Sequence, residues 1–309
     1  MEFERIRFGL ITDIHHDLMY KASDRLQAFI DESIKENVDF IVQLGDFCFP
    51  IPENEPFLGT WQQFHGPNYH VLGNHDMDIC DKEIMMSFLG MKSNYYSFDC
   101  GDYHFVVLDA NYFLVGDQYM DYAFSNYSKH GKSVGNMTNE QLEWLRKDLS
   151  QTDKHTILFS HQSLEETYVG SNVGIYNSDK LREILREANQ AAGFHKVIAC
   201  MNGHNHLDGV KVIDDIYFIH MNSISYHYLG AQFNTVRYSE EITAKHPILR
   251  QSVPYEEPLY AIITLEPGLL TIKGKETTYV GPDPLEIGHN NANAGHVVSA
   301  KISSRKLKF

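Results

Sequence analysis

The 309-residue sequence predicts an α/β fold. Two observations carry that expectation. Short apolar runs rich in β-branched and aromatic residues alternate with amphipathic helical stretches, which is the grammar of parallel strand–helix–strand units. Five of the strand-like runs also stop at Asp, Asn or His, and open α/β sheets gather such residues in the crevice along the carboxyl ends of their strands.

Residues 5–12, RIRFGLIT, read as a first buried strand. In 23–37 Leu26, Phe29, Ile30 and Ile34 recur at helical spacing, behind Ser23 or Asp24 as the cap. Residues 38–46 return to a strand ending in Gly45-Asp46, and 68–76 form a third that runs into Gly73-Asn74-His75-Asp76. The runs 94–100 and 103–110 meet through Gly101 and Asp102, a hairpin signal. Residues 111–137 are rich in Tyr, Gly, Ser and Asn without a period and predict a long loop. A helix follows over 138–150, with Thr138 and Gln141 as a capping box. Residues 155–161 form a strand ending in His161, and 178–192 an amphipathic helix through Leu181, Ile184, Leu185 and Ala188. The strand of 196–206 closes on Gly203-His204-Asn205-His206, and three further strands come late, in DIYFIHMNS, LYAIITLE and LLTIKGK. One domain is expected over 1–280, with 281–309, rich in Gly, Pro, Asn and Lys, as a C-terminal tail or packed extension.

Composition narrows the partners. Acids outnumber bases by 41 to 26, a net charge of −15, which argues against duplex nucleic acid. A small anion would need concentrated local positive charge, and a metal pair supplies it in an acidic protein. Cys48, Cys80, Cys100 and Cys200 form no C-x-x-C pair and read as small hydrophobes in a reducing compartment. No run is apolar and long enough to span a bilayer, and the opening residues lack a signal-peptide core, so a cytoplasmic protein without a membrane partner is expected.

The strand ends carry the chemistry. Asp13, His15, Asp46, Asn74, His75, His161, His204 and His206 should converge on one crevice. Taken singly, Asp13 or Asp46 reads as a helix cap, Asn74 as a turn residue and His161 as a core histidine; their joint occurrence reverses that. A carboxylate can bridge two cations, and imidazole with amide oxygen suits Mn, Fe or Zn better than Ca. Asp46 is the candidate bridge. Residues 204–208, HNHLD, also fit the H-x-H-x-D core of metallo-β-lactamase-like hydrolases with Asp208 as the acid. That reading has Gly209 where another histidine belongs and explains neither Asp13-Ile14-His15 nor Gly73-Asn74-His75-Asp76.

In this order, the blocks Asp13-Ile14-His15, Gly45-Asp46, Gly73-Asn74-His75-Asp76, His161 and Gly203-His204-Asn205-His206 resemble the signature of the calcineurin-like metallophosphoesterase superfamily. The resemblance implies a four-layer α/β/β/α sandwich of two mixed sheets faced by helices. It implies two divalent ions, one held by Asp13, His15, Asp46 and His206, the other by Asp46, Asn74, His161 and His204. It implies hydrolysis of a phosphate ester by in-line attack of a metal-activated hydroxide, with His75 outside the metal shell as the catalytic acid or charge stabiliser. In the family's protein phosphatases a carboxylate three residues after the Gly-Asp aspartate orients this histidine. Phe49 stands there, so Asp76 or a distant acid must substitute, and a tyrosinate-bound ferric site is disfavoured. By analogy the substrate is a small phosphorylated or nucleotide-like molecule, with a phosphodiester such as a cyclic nucleotide favoured. A nucleotide or sugar-nucleotide pyrophosphatase, a phosphomonoesterase and a scaffold that kept the fold are the alternatives. His16 and Asp17 are expected at the rim, His220 and His227 are candidates for substrate contact, and Tyr226 and Tyr228 for stacking. Residues 222–258 and 111–137 are expected to shape the pocket mouth.

Overall fold

The computed structural model describes residues 5–129, 135–165, 174–289 and 297–309. Parts of the predicted loop (130–134) and of the C-terminal stretch (290–296) lie outside the described residues. The first half runs β1 (Ile6–Ile11), α1 (Ala22–Lys35), β2 (Phe40–Gln43), α2 (Glu55–Trp61), β3 (Asn68–His70), α3 (Lys82–Leu89), β4 (Tyr96–Cys100), β5 (Tyr103–Val107), β6 (Tyr112–Val115), β7 (Gln118–Asp121) and α4 (Asn126–Lys129). The second runs α5 (Asn139–Ser150), β8 (His155–Ser160), α6 (Ser178–Ala192), β9 (Val197–Asn202), β10 (Gly209–Ile213), β11 (Ile216–His220), β12 (Tyr226–Tyr228), α7 (Glu240–Lys245), β13 (Ser252–Pro254), β14 (Ala261–Glu266), β15 (Leu269–Lys273) and β16 (Arg305–Lys308).

Two six-stranded sheets result, ordered β16-β15-β14-β1-β2-β3 and β10-β11-β9-β8-β5-β4. In the first, β1, β2 and β3 run parallel out to the β3 edge and β14, β15 and β16 continue antiparallel on the other side; in the second, a parallel centre β5/β8/β9/β11 is flanked by antiparallel β4 and β10. The sheets pack face to face on Phe8, Leu10, Phe40, Val42, Phe105, Val107, Ile157 and Phe159. Phe8 stacks on Phe40 at 4.8 Å and Phe105 on Phe159 at 5.9 Å. Each such buried ring contributes about 1.5–3 kcal/mol of burial. Leu26, Phe29 and Ile30 of α1 cover the outer face of the first sheet together with Trp61 of α2. Leu142 and Leu145 of α5 and Leu181 and Leu185 of α6 cover the second. The expected α/β/β/α layering is what forms, because strands buried on both faces read as continuous apolar runs and the helices carry one apolar stripe.

Several local expectations change. The cap of α1 is neither Ser23 nor Asp24: the helix starts at Ala22 after Lys21, which sits at φ 62° with no side-chain cap, because the chain leaves the tight loop after His15 already turned. Ile34, counted in the apolar stripe, is 52% exposed. Residues 111–137 are not a plain loop but hold the β6–β7 ribbon and α4. Thr138 caps α5 by accepting from the Gln141 N–H, while the Gln141 side chain turns away to bind Asp109 N and O, so half of the expected capping box forms. The hairpin of β4 and β5 closes with Cys100 opposite Tyr103. At the far end β16 pairs antiparallel with β15 at the edge of the first sheet.

Candidate metal centre

The carboxyl ends of β1, β2, β3, β8 and β9 deliver the seven predicted ligands to one place. The strand leading into each block is straight and buried, and the block itself turns sharply. Asp13, His15, Asp46, His204 and His206 have φ of 54°, 48°, 55°, 65° and 50°, left-handed values that non-glycine residues seldom adopt and that concentrate at functional sites. Backbone bonds hold the turns together: Asp13 N–H donates to Gly45 O at 3.0 Å, and His15 N–H to Asp46 O at 2.9 Å. Two glycines are obligatory here. A Cβ on Gly73 would collide with Asp46 N and Oδ1, and one on Gly203 with Thr12 Oγ1 and Asp13 Oδ2.

Each carboxylate spends one oxygen on the fold and turns the other to the site. Asp13 Oδ2 accepts from Thr12 Oγ1 at 2.5 Å and His204 N–H at 3.0 Å, and Asp46 Oδ1 from His75 N–H at 2.8 Å. Asp13 Oδ1 then lies 3.2 Å from His206 Nε2 and 3.8 Å from His15 Nε2. Asp46 Oδ2 lies 3.1 Å from His161 Nε2 and 3.5 Å from His15 Nε2, so a single oxygen faces both groups. His161 Nε2 is also 3.1 Å from Asn74 Oδ1 and 3.2 Å from His204 Nδ1. Asp13, His15 and His206 form one triad that could hold an ion, and Asp46, His161 and His204 a second. The far nitrogens are fixed by carbonyls, His161 Nδ1 on Leu44 O at 2.7 Å and His206 Nδ1 on Tyr226 O at 2.8 Å. In the neutral ring that bond sets the tautomer, with the proton on Nδ1 and the Nε2 lone pair toward the site.

Electrostatics prepare the same donor set. Burial depresses His15 and His204 to about 3, so both rings are neutral donors. Burial raises the Asp13 carboxyl, but His206 and His161 more than reverse it; burial likewise opposes, and His161, His75 and His15 outweigh it, at Asp46. His161 also feels a burial penalty, which the Asp46 and Asp13 charges overcome to bring it up to about 9. Among the described residues, Asp13 Oδ1 and His15 Nε2 are buried without a hydrogen-bond partner. Buried lone pairs turned toward each other are costly unless a cation lies between them. Carboxylate, amide oxygen and imidazole together suit a transition dication, so the residues fit the metal pair.

His75 stands at the rim, its side chain 39% exposed and its ring 5.2 Å from that of His15. Its acid partner is Asp78, 2.8 Å from Nδ1. Sequence reasoning named Asp76 or a distant acid and missed Asp78, whose signal was only its position three residues along a turn. Asp76 instead accepts the backbone N–H groups of Asp46, Phe47 and Gly73, fixing the turns that carry the site.

Other named residues take structural places. His16 stacks on Phe57 at 3.9 Å, and Asp17 accepts from Phe49 N–H and Asn54 Nδ2 at the rim. His220 is buried 3.0 Å from Glu165 Oε1. His227 is buried with Nδ1 on His206 O at 2.9 Å, and Tyr226 packs its ring against His15 and His206. Tyr228 is half exposed, its hydroxyl on Gln251. Asp208, the acid of the rival hydrolase reading, turns instead to Ser303 and Arg305.

Residues 6–208 match the family described as calcineurin-like phosphoesterase. A manganese-dependent ADP-ribose/CDP-alcohol diphosphatase of Oryza sativa subsp. japonica is 25% identical over 62% of this chain and 69% of its own. The protein of that name from Arabidopsis thaliana is 23% identical over 61% and 70%. Among solved structures, a dimetal phosphatase from Danio rerio superposes with a TM-score of 0.62 at 16% identity, covering 90% of this chain and 99% of that one. Among the described residues no helix is long and apolar enough to cross a membrane.

Proposed function

The chain belongs to the calcineurin-like phosphoesterase family of metal-dependent phosphoester hydrolases, and on that premise we propose that it cleaves a doubly substituted phosphoryl group in a small nucleotide-like substrate. The observation that carries this reading is Asp46 Oδ2, set 3.1 Å from His161 Nε2 and 3.5 Å from His15 Nε2, so that one carboxylate faces the donors of both triads and would be shared by a bound pair. Asp13, His15, Asp46 and His206 would hold the first ion, and Asp46, Asn74, His161 and His204 the second. The chemistry supplied by a bound pair is neutralisation of the phosphoryl oxygens and activation of water.

The chain's own residues do the rest. His161 and His206, their rings fixed through Leu44 O and Tyr226 O, keep the donors preorganised, so little reorganisation accompanies the reaction. His75 lies outside both triads and donates a proton to the departing oxygen or a hydrogen bond to the phosphoryl group.

Cyclic phosphodiesters and nucleoside diphosphate conjugates share a phosphorus carrying two substituents, and the sequence alone favoured the former. The named activity of the two plant relatives supports the latter, the phosphoanhydride. With manganese added, ADP-ribose and a CDP-alcohol are expected to turn over faster than a cyclic nucleotide or p-nitrophenyl phosphate. Faster hydrolysis of the cyclic nucleotide would restore the phosphodiester reading. No turnover of any of them, with no manganese retained on dialysis, would overturn the enzyme.

A further inference from the structure

We propose that Asp78, seated by Ser125 of the turn between β7 and α4 and by Tyr127 of α4, is the positioning carboxylate that aims His75 at the leaving oxygen; this rests on the hydrolase reading above. The position three residues beyond Asp46, where a carboxylate would orient the histidine in related protein phosphatases, is Phe49. The replacement comes from the other side of the ring.

Asp78 Oδ2 lies 2.8 Å from His75 Nδ1. Its second oxygen, Oδ1, accepts from Ser125 Oγ at 2.9 Å and from the Tyr127 hydroxyl. That hydroxyl is also 3.1 Å from His75 Nδ1, and the Tyr127 ring meets the imidazole edge to face at 5.9 Å. The carboxylate is thus held from both ends and can present only Oδ2 to the histidine. With Nδ1–H donated to Asp78, the Nε2 edge remains for substrate.

The turn that carries Ser125 and leads into α4 is itself constrained. Phe124 and Ser125 sit at φ 50° and 54°, consecutive left-handed residues without a glycine. Phe124 N–H bonds to Cys80 O and Ser125 N–H to Met77 O, so the turn docks on the segment that carries His75 and Asp78. Strained backbone persists where surrounding contacts impose it, and here those contacts converge on one carboxylate. An acid that merely neutralised surface charge would need neither hydroxyl.

In the reaction the bond from phosphorus to the leaving oxygen breaks with its electron pair on that oxygen, which takes the Nε2 proton. The oxygen of water forms the new bond to phosphorus. One proton of that water goes to solvent, and solvent returns one to Nε2, where Asp78 has kept the ring in place.

The test compares the manganese-loaded wild type with D78N, Y127F, H75A and the double variant D78N/H75A on methyl p-nitrophenyl phosphate and methyl phenyl phosphate. D78N should lower kcat at least about 10-fold on the phenyl ester, with a smaller loss on the nitrophenyl ester, whose better leaving group needs less protonation, and KM should hold. Y127F should show the same pattern more weakly. Adding D78N to H75A should cost nothing further. In metal-free protein, nitrogen–proton spectra should show a His75 Nδ1–H resonance shielded from exchange in wild type and lost in D78N. Equal losses on both esters, an additive double variant, or an unchanged resonance would overturn the positioning role. If wild type hydrolyses neither ester, the resonance alone decides whether Asp78 orients His75, and the hydrolase reading fails only if ADP-ribose and a CDP-alcohol are not turned over either.

Discussion

Asp46 illustrates how one side chain serves two structures at once. Its Oδ1 holds the His75 backbone, while Oδ2 faces His15 and His161. Asp46→Asn keeps the shape and removes the charge. Burial opposes a charged His161 and the Asp46 charge is the main force that raises it to about 9, so in metal-free Asp46→Asn that ring should titrate closer to its ordinary value. Manganese stoichiometry should fall below two and turnover by more than about 100-fold. A His161 titration unmoved from wild type would refute the assignment of its charge to Asp46. At this scale the sequence was most informative. Each ligand stands at the end of an apolar run in a block of one to four residues, and the backbone turn that aims it is local. Asp78 was not legible for the opposite reason. Its meaning depends on Ser125 and Tyr127, which lie 47 and 49 positions away, and nothing in the run after Asn74 distinguishes it from Asp76.

Among elements, β5 is tied to its neighbours by His104, which bonds Asp99 of β4 at 2.6 Å and Asp148 of α5 at 2.8 Å. Burial alone would lower this imidazole; the bonds to Asp148 and Asp99, with their charges, outweigh it and raise its pKa above the ordinary 6.5. The stabilisation from the charged ring is therefore complete below 6.5 and is lost as pH climbs through the raised folded value. His104→Gln should destabilise the protein by about 1 kcal/mol on the acidic side, a value kept small because Asp99 is half exposed. Urea titrations should find that gap narrowing as pH rises; a gap that is constant with pH would remove the charge from the explanation. The elements that sequence reasoning recovered, β1, β2, β8, β9, α5 and α6, share strong periodicity, because burial on one stripe or on both faces leaves a clear pattern. The β6–β7 ribbon left none. Leu114, Val115 and Met120 are exposed while Phe113 is buried, so no alternation separates an inner face from an outer one.

Across the whole molecule the C-terminal residues join what the two sheets leave apart. β16 extends the first sheet through β15, while the Tyr217 hydroxyl of β11 donates to Lys308 O at 2.6 Å and Phe309 packs on His155 of β8 at 4.9 Å, both in the second sheet. Upstream, Asn222 donates to Ser299 O and Lys301 O. This closure was hidden because a short, lysine-rich edge strand resembles a solvated tail in composition, and its pairing partner is more than thirty residues earlier. Asp208 is its main polar anchor, accepting from Ser303 N–H at 3.1 Å, from Ser303 Oγ and from Arg305 Nη2 at 3.0 Å, with its side chain 6% exposed. Removing it leaves those donors short of a charged acceptor, so Asp208→Ala should destabilise the fold by about 2–3 kcal/mol and lower the melting temperature by roughly 3–5 °C. The seven metal-site side chains make none of these bonds. Manganese stoichiometry at saturation should therefore remain that of wild type, and turnover per folded molecule should be kept. An unchanged melting temperature would mean that backbone pairing of β16, not this carboxylate, holds the chain end; loss of manganese in the folded variant would mean that the anchor also sets the loop two residues earlier, at His206.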